Sequence, residues 1–193
     1  MNSKSKYQQY NKIDIPTVFK TYVSESFFSN CISCNKYLLE DDTEYVIEKV
    51  INAGQVEVEY SMCMHCVEDM RKKMSDESIN NINRYFELNS GFLSKRYDLL
   101  ASHSTNVDDY ISNCLFKNKS VHESDEYQFL GHCKGKKLLL SIFPYMVCKE
   151  AIEEVQELLS AKTKDELDDF TNKHFGLPPD LKEILKTRKP VLF

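Results

Sequence analysis

The chain has 193 residues, 41% of them apolar and including 11 Tyr and 11 Phe, enough for one packed domain or two small ones. A net charge of −5 argues against a dedicated nucleic-acid binder, whose phosphate contacts need clustered Lys and Arg. Five Gly and five Pro exclude a linker-rich or low-complexity chain.

Residues 1–12 are polar and expected to be flexible, with none of the apolar run of a signal peptide. The longest nearly apolar stretch, Leu138 to Cys148, is too short for a membrane span and is interrupted by Pro144. These features predict a soluble, cytoplasmic protein without membrane contact. Seven cysteines in a reducing compartment are not expected to form a disulfide framework. The odd count fits four ligands and three free thiols.

From Pro16 to Phe28, Val18, Phe19, Tyr22, Val23 and Phe27 have the spacing of a short helix leading into "CISC", Cys31 to Cys34. "EYVIEKVI" and "QVEVEYSM" flank "NAG" and predict a β-hairpin over Glu44–Ile51 and Gln55–Met62, because Val56, Val58 and Tyr60 alternate with Glu57, Glu59 and Ser61. "CMHC", Cys63 to Cys66, ends that hairpin. Val67, Met70 and Met74 then change to helical period, Ser75 offers an N-cap, and Ile79, Ile82, Tyr85 and Phe86 extend a helical face to about Leu88.

After Asn89–Gly91, helical patterns are expected over Leu93–Ser102 and Val107–Leu115, then a polar loop, "KNKSVHESDE". "EYQFLGHC" and "KLLLSIF" around "KGK" predict a second hairpin. Cys148, Ala151, Ile152, Val155 and Leu159 form one helical face, Thr163 and Glu166 have capping-box spacing, and Gly176 suits a helix C-terminus. Pro178 and Pro179 open a last helix, "PDLKEILKTR". The two hairpins, each followed by helix, are loosely similar, and no further internal repeat is read. The expected organisation is a zinc-binding module over 13–88 and an α+β helical unit over 89–193, which could share one core.

Two Cys-x-x-Cys turns at matched spacing predict one metal ion. Each turn directs two sulfurs to one side, so two turns complete the tetrahedron that zinc prefers. Cys31, Cys34, Cys63 and Cys66 are thus the candidate metal ligands. A set closed by four thiolates leaves no position for water or substrate, which makes the ion structural. Asn35 tolerates the left-handed conformation such a turn needs. The second pair lies where strand passes into helix, and backbone N–H groups there stabilise thiolates.

The order of knuckle, hairpin and helix over about residues 27–74 resembles the treble-clef zinc finger, with a zinc ribbon as the rival shape. The resemblance implies zinc and a shape for that quarter of the chain and assigns no function; with the mostly helical unit and second hairpin that follow, the fold class expected is α+β. Iron is the less favoured metal. Rubredoxin also has two such turns, but with Gly after the second Cys and Pro within a pair. Asn35 and Val67 take the Gly places here, and "ISC" and "MHC" hold no Pro. His65, between Cys63 and Cys66, is expected to point away from the metal.

Other chemistry is weakly signalled. His132 and Cys133 in "GHC" are neighbours on a strand and should face opposite ways. Cys114, Cys133, Cys148 and His132 lack knuckle spacing and are read as packing residues. Walker, GxGxxG, HExxH and GxSxG motifs are absent, so no catalytic residue is assigned. The expected function is a zinc-stabilised protein-interaction or scaffold protein. The alternative is a nucleic-acid-binding zinc finger using the basic groups at Arg71–Lys73, Lys134–Lys137 and Lys186–Lys189.

Overall fold

A computed structural model describes residues 11–176. These residues form an α+β fold with six α-helices and a six-stranded antiparallel sheet. The last helix expected from Pro178 and the basic group at 186–189 lie outside the described residues.

The hairpin seen in the sequence is present as β2 (Glu44–Asn52) and β3 (Gln55–Cys63), following a short edge strand, β1 (Asn11–Asp14). Its two-residue turn places Ala53 and Gly54 at φ 48° and 75°, the conformation that matches the twist of paired strands. Three further strands are β4 (Glu126–Lys134), β5 (Lys137–Leu140) and β6 (Tyr145–Cys148). The order across the sheet is β1-β5-β4-β2-β3, with β6 also beside β4. The long seam runs between β2 and β4, from Glu44 opposite Lys134 to Asn52 opposite Glu126. On its other edge β4 is shared: Tyr127–Leu130 pair with β6, and Cys133–Lys134 pair with β5. Gly131 is needed in this strand because an added Cβ would lie 2.8 Å from the Phe19 ring.

The helices are α1 (Met64–Lys73), α2 (Asp76–Leu88), α3 (Phe92–Ala101), the single turn α4 (Asp108–Ile111), α5 (Lys149–Glu157) and α6 (Ala161–Phe175). One main cluster of buried side chains runs through both halves, including Phe19, Leu38, Ile47 and Met62 from the first and Phe129, Met146, Ile152 and Phe170 from the second. The central strand β2 also buries Glu48, which accepts from the Tyr60 hydroxyl at 2.5 Å, and Lys49, which meets Glu59 at 3.1 Å.

Ser75 caps α2 as expected, and Gly176 ends α6 at φ 48°. Four expectations need correction. The helix over Pro16–Phe28 is only one 3-10 turn, Thr17–Phe19. Beyond it the chain turns by local bonds, Thr21 Oγ1 accepting from Ser26 N–H, while the Tyr22 N–H goes to the Glu59 carboxylate. Those bonds compete with helix, and Val23 is left 93% exposed. Helix over Val107–Leu115 stops at Ile111, because Cys114 N–H bonds to Lys119 O and closes a turn. The N-cap of α6 is Ser160, and Thr163 is the residue whose N–H it receives. Finally, the apolar run after Leu140 does not continue the hairpin: it folds back as β6, while polar Asn11–Asp14 forms β1 against β5.

Candidate metal centre

The first cysteine pair sits in a tight turn between Asn30 and Tyr37, which face each other across an isolated antiparallel bridge. Cys31 N–H bonds to Lys36 O at 2.9 Å, and Asn35 N–H bonds back to Cys31 O at 2.9 Å. Asn35 takes φ 60°, the left-handed conformation anticipated for it. The Asn30 carboxamide donates to Asn35 O at 3.1 Å, a clamp that sequence reasoning missed; only the position of Asn30 beside the turn could have signalled it.

The turn is fastened to β3. Ile32 N–H bonds to Ser61 O at 2.9 Å, and the Ser61 hydroxyl donates to Asn30 O at 3.1 Å. Cys63 ends β3 and is the N-cap of α1, so Cys66 falls in the first helical turn. β3 thus brings the second pair up to the first.

The four Sγ atoms lie within 4.8 Å of one another. A zinc–sulfur distance of about 2.3 Å implies tetrahedron edges of about 3.8 Å. Cys34 Sγ and Cys63 Sγ stand 3.7 Å apart. The donor set and its spacing therefore fit a metal ion such as zinc. Cys31 and Cys63 are buried, Cys66 is half-buried and Cys34 is exposed, so the centre lies at the surface with one side covered.

Backbone N–H groups supply charge stabilisation. Burial pushes the Cys31 thiol up, but N–H groups of Cys63, Cys34 and Ser33 outweigh it and bring it down to about 7. Burial, together with hydrogen bonds from neighbouring thiols, raises Cys66. Cys63 is raised as well, by burial first and then despite the Cys66 N–H. Four thiols this close cannot all ionise without a cation to share.

His65 projects outward, 76% exposed, and its Nε2 lies 3.3 Å from Asp69. Among the described residues, no other group of three or more His, Cys, Asp or Glu side chains converges in this way. Of Cys114, Cys133, Cys148 and His132, only Cys114 and Cys148 meet. Cys148 N–H donates to Cys114 Sγ at 3.3 Å. A hydrogen bond from the Cys148 thiol, with backbone N–H groups, brings Cys114 down to about 6 against its burial. Cys133 lies at the other end of β4, opposite Tyr45, and burial pushes its thiol up. His132 is adjacent on the strand, 3.3 Å from a Glu44 oxygen, and burial lowers its pKa. No described helix is long and apolar enough to cross a membrane. No family model matches this chain, and no curated protein or solved structure was found similar to it.

Proposed function

We propose that Cys31, Cys34, Cys63 and Cys66 bind one structural zinc ion in a treble-clef-like module, and that the protein serves as a protein-interaction or scaffold protein. The observation that carries the metal reading is the convergence of four thiols within 4.8 Å from two separate turns. Four thiolates complete the zinc shell and leave no open position for a reacting group. The ion ties the Cys31–Cys34 turn to the start of α1, two short segments that hold little structure alone in water, while the hairpin between them is also braced by β4. Zinc is favoured over iron because "ISC" and "MHC" hold no Pro, and Asn35 and Val67 stand where rubredoxin has Gly.

Support for a protein partner comes from an apolar groove of about 360 Å³ beside the metal helix, lined by Met64, Val67, Met70, Ile82 and Phe143 among others. Flexible methionines suit a surface that accepts another protein. Nucleic acid is disfavoured because four of the five described lysines in the basic groups have acidic partners: Lys72 with Asp69, Lys73 with Glu166, Lys134 with Asp42, and Lys137 with Asp14.

Metal analysis of protein made without added zinc tests the first statement. Stoichiometric zinc is expected, and its loss on Cys34→Ser in folded protein; zinc-free wild type would end the reading. The second statement is tested by paired pull-downs with wild type and Met70→Glu. Partners lost with the variant at unchanged zinc content are expected, and equal recovery would remove the support.

A further inference from the structure

The backbone around Cys114 repeats the backbone around Cys31, bond for bond. "SNCISCNK", Ser29 to Lys36, aligns with "SNCLFKNK", Ser112 to Lys119. In the second turn Cys114 N–H bonds to Lys119 O at 2.7 Å, and Asn118 N–H to Cys114 O at 2.9 Å. Asn118 takes φ 53°, as Asn35 takes 60°. The Asn113 carboxamide donates to Asn118 O at 3.0 Å, matching Asn30. Leu115 N–H bonds to Met146 O at 2.8 Å, matching Ile32 and Ser61. Cys148 N–H reaches Cys114 Sγ at 3.3 Å, as Cys63 N–H reaches Cys31 Sγ at 3.4 Å. Cys148 ends a strand and N-caps α5, as Cys63 ends β3 and N-caps α1.

The correspondence extends to the helices and to a two-fold axis. Ser75 caps α2 through Ser78 N–H, and Ser160 caps α6 through Thr163 N–H. The caps exchange bonds reciprocally: Ser75 N–H donates to Thr163 Oγ1 at 3.0 Å, and Ser160 N–H to Ser78 Oγ at 2.9 Å. The Ser75 and Ser160 hydroxyls meet at 2.8 Å. Met74 and Leu159, each one residue before its cap, share a small buried cluster. In the sheet, β2 and β4 pair antiparallel, with Ile47 opposite Gly131 and Glu48 opposite Leu130, as two strands related by such an axis must. A twist common to any α+β protein does not produce matched side-chain bonds at each of these positions.

We infer that the chain is two copies of one metal-binding unit related by this axis, and that the second copy keeps the frame of a second four-ligand site for a thiophilic divalent cation. Cys114 and Cys148 occupy the places of Cys31 and Cys63, while Lys117 and Ala151 occupy those of Cys34 and Cys66. This rests on the zinc reading of the first site. In place of a shared ion, the second turn is held to α5 by Lys117 and Glu154 at 2.6 Å and Lys119 and Glu150 at 2.5 Å. The loose similarity of two hairpins each followed by helix, read from the sequence, is on this inference part of a closer internal repeat.

The test restores the missing ligands. Lys117→Cys with Ala151→Cys, expressed with zinc, should bind two zinc ions per chain where wild type binds one. The added ion should persist when Cys31 and Cys34 are also changed to Ser. With cobalt(II), the rebuilt site should show the visible bands of a tetrahedral tetrathiolate centre. Wild-type stoichiometry in the folded double variant would overturn the inference, whereas zinc-free wild type with one ion in the variant would overturn only the first site. Should the double variant not fold, the two single variants, each a three-thiolate set, are titrated with cobalt(II). No added band in either, or failure of both to fold, would equally overturn it, since a frame matched to a second ion accepts its ligands.

Discussion

The turn that carries Cys31 and Cys34 faces two further thiols, whereas the turn that carries Cys114 faces one. The two turns share their backbone bonds, their left-handed Asn and their attachment to a strand that leads into a helix. They differ in what closes them: a thiol set fitted to an ion in one, and two Lys–Glu pairs in the other. The comparison separates a shape from its fastening. Backbone hydrogen bonds around an Asn suffice to draw the turn, and converging thiols and Lys–Glu pairs are two different contacts between such a turn and the neighbouring helix.

The fastenings differ in strength, which gives a graded series of tests. The largest effect is expected from a strong chelator. Structural zinc contributes on the order of 10 kcal/mol in small zinc peptides, so amide protection over residues 29–37 and the start of α1 should collapse. Residues 112–120 should lose far less, and equal loss at both turns would erase the contrast. Acid should act in the same direction as the chelator, since protons compete for thiolate sulfur and metal affinity falls as pH drops.

Gly131→Ala addresses the seam common to both halves. The new Cβ would press on the Phe19 ring, 2.8 Å away, and overpacking of this kind costs about 1–3 kcal/mol. A lowered melting temperature at unchanged zinc content is expected; an unchanged melting temperature would show that Phe19 moves freely.

Ser75→Ala and Ser160→Ala each remove a helix cap, worth about 1 kcal/mol. Because the hydroxyls meet at 2.8 Å, a double-mutant cycle should show coupling. Strict additivity of the two losses would mean the axis contact carries no energy.

The smallest effect is expected from Lys119→Met. The hydrogen bond from the Lys119 ammonium, more than any other contact, holds the Glu150 carboxyl at about 2. A carboxyl lowered on folding stabilises the native state above its ordinary pKa, and that contribution fades as pH falls toward 2. The pair is partly solvent-exposed, so the loss should be slight, shrink in high salt, and be absent in acid. A large, salt-independent loss would place the second turn's fastening elsewhere.

Much of this was legible in the chain. Cys-x-x-Cys is written in adjacent residues, and alternation of Val56, Val58 and Tyr60 declares β3 without tertiary help. Ser75 and Gly176 act through their own backbone neighbours. What escaped depends on distant partners. The strand β1 is polar and exists because β5 offers it an edge. The strand β6 is buried throughout, so it lacks the alternation that marks a half-exposed strand. The repeat escaped because the residues that make a knuckle conspicuous are the two that differ, Cys34 against Lys117 and Cys66 against Ala151.

The β2–β4 seam has a consequence for the protein during its synthesis. When Ile47 leaves the ribosome, its partner Gly131 has yet to be made. Until then β2 can pair with β3 but offers its other edge, rich in Val and Ile, to whatever strand is near. A nascent first half is therefore the state most prone to stick, and the first turn, whose ligands all precede β4, can form before the seam closes. Pauses in translation between β3 and β4 should lengthen that exposure, and slower decoding there should lower soluble yield without altering the finished protein.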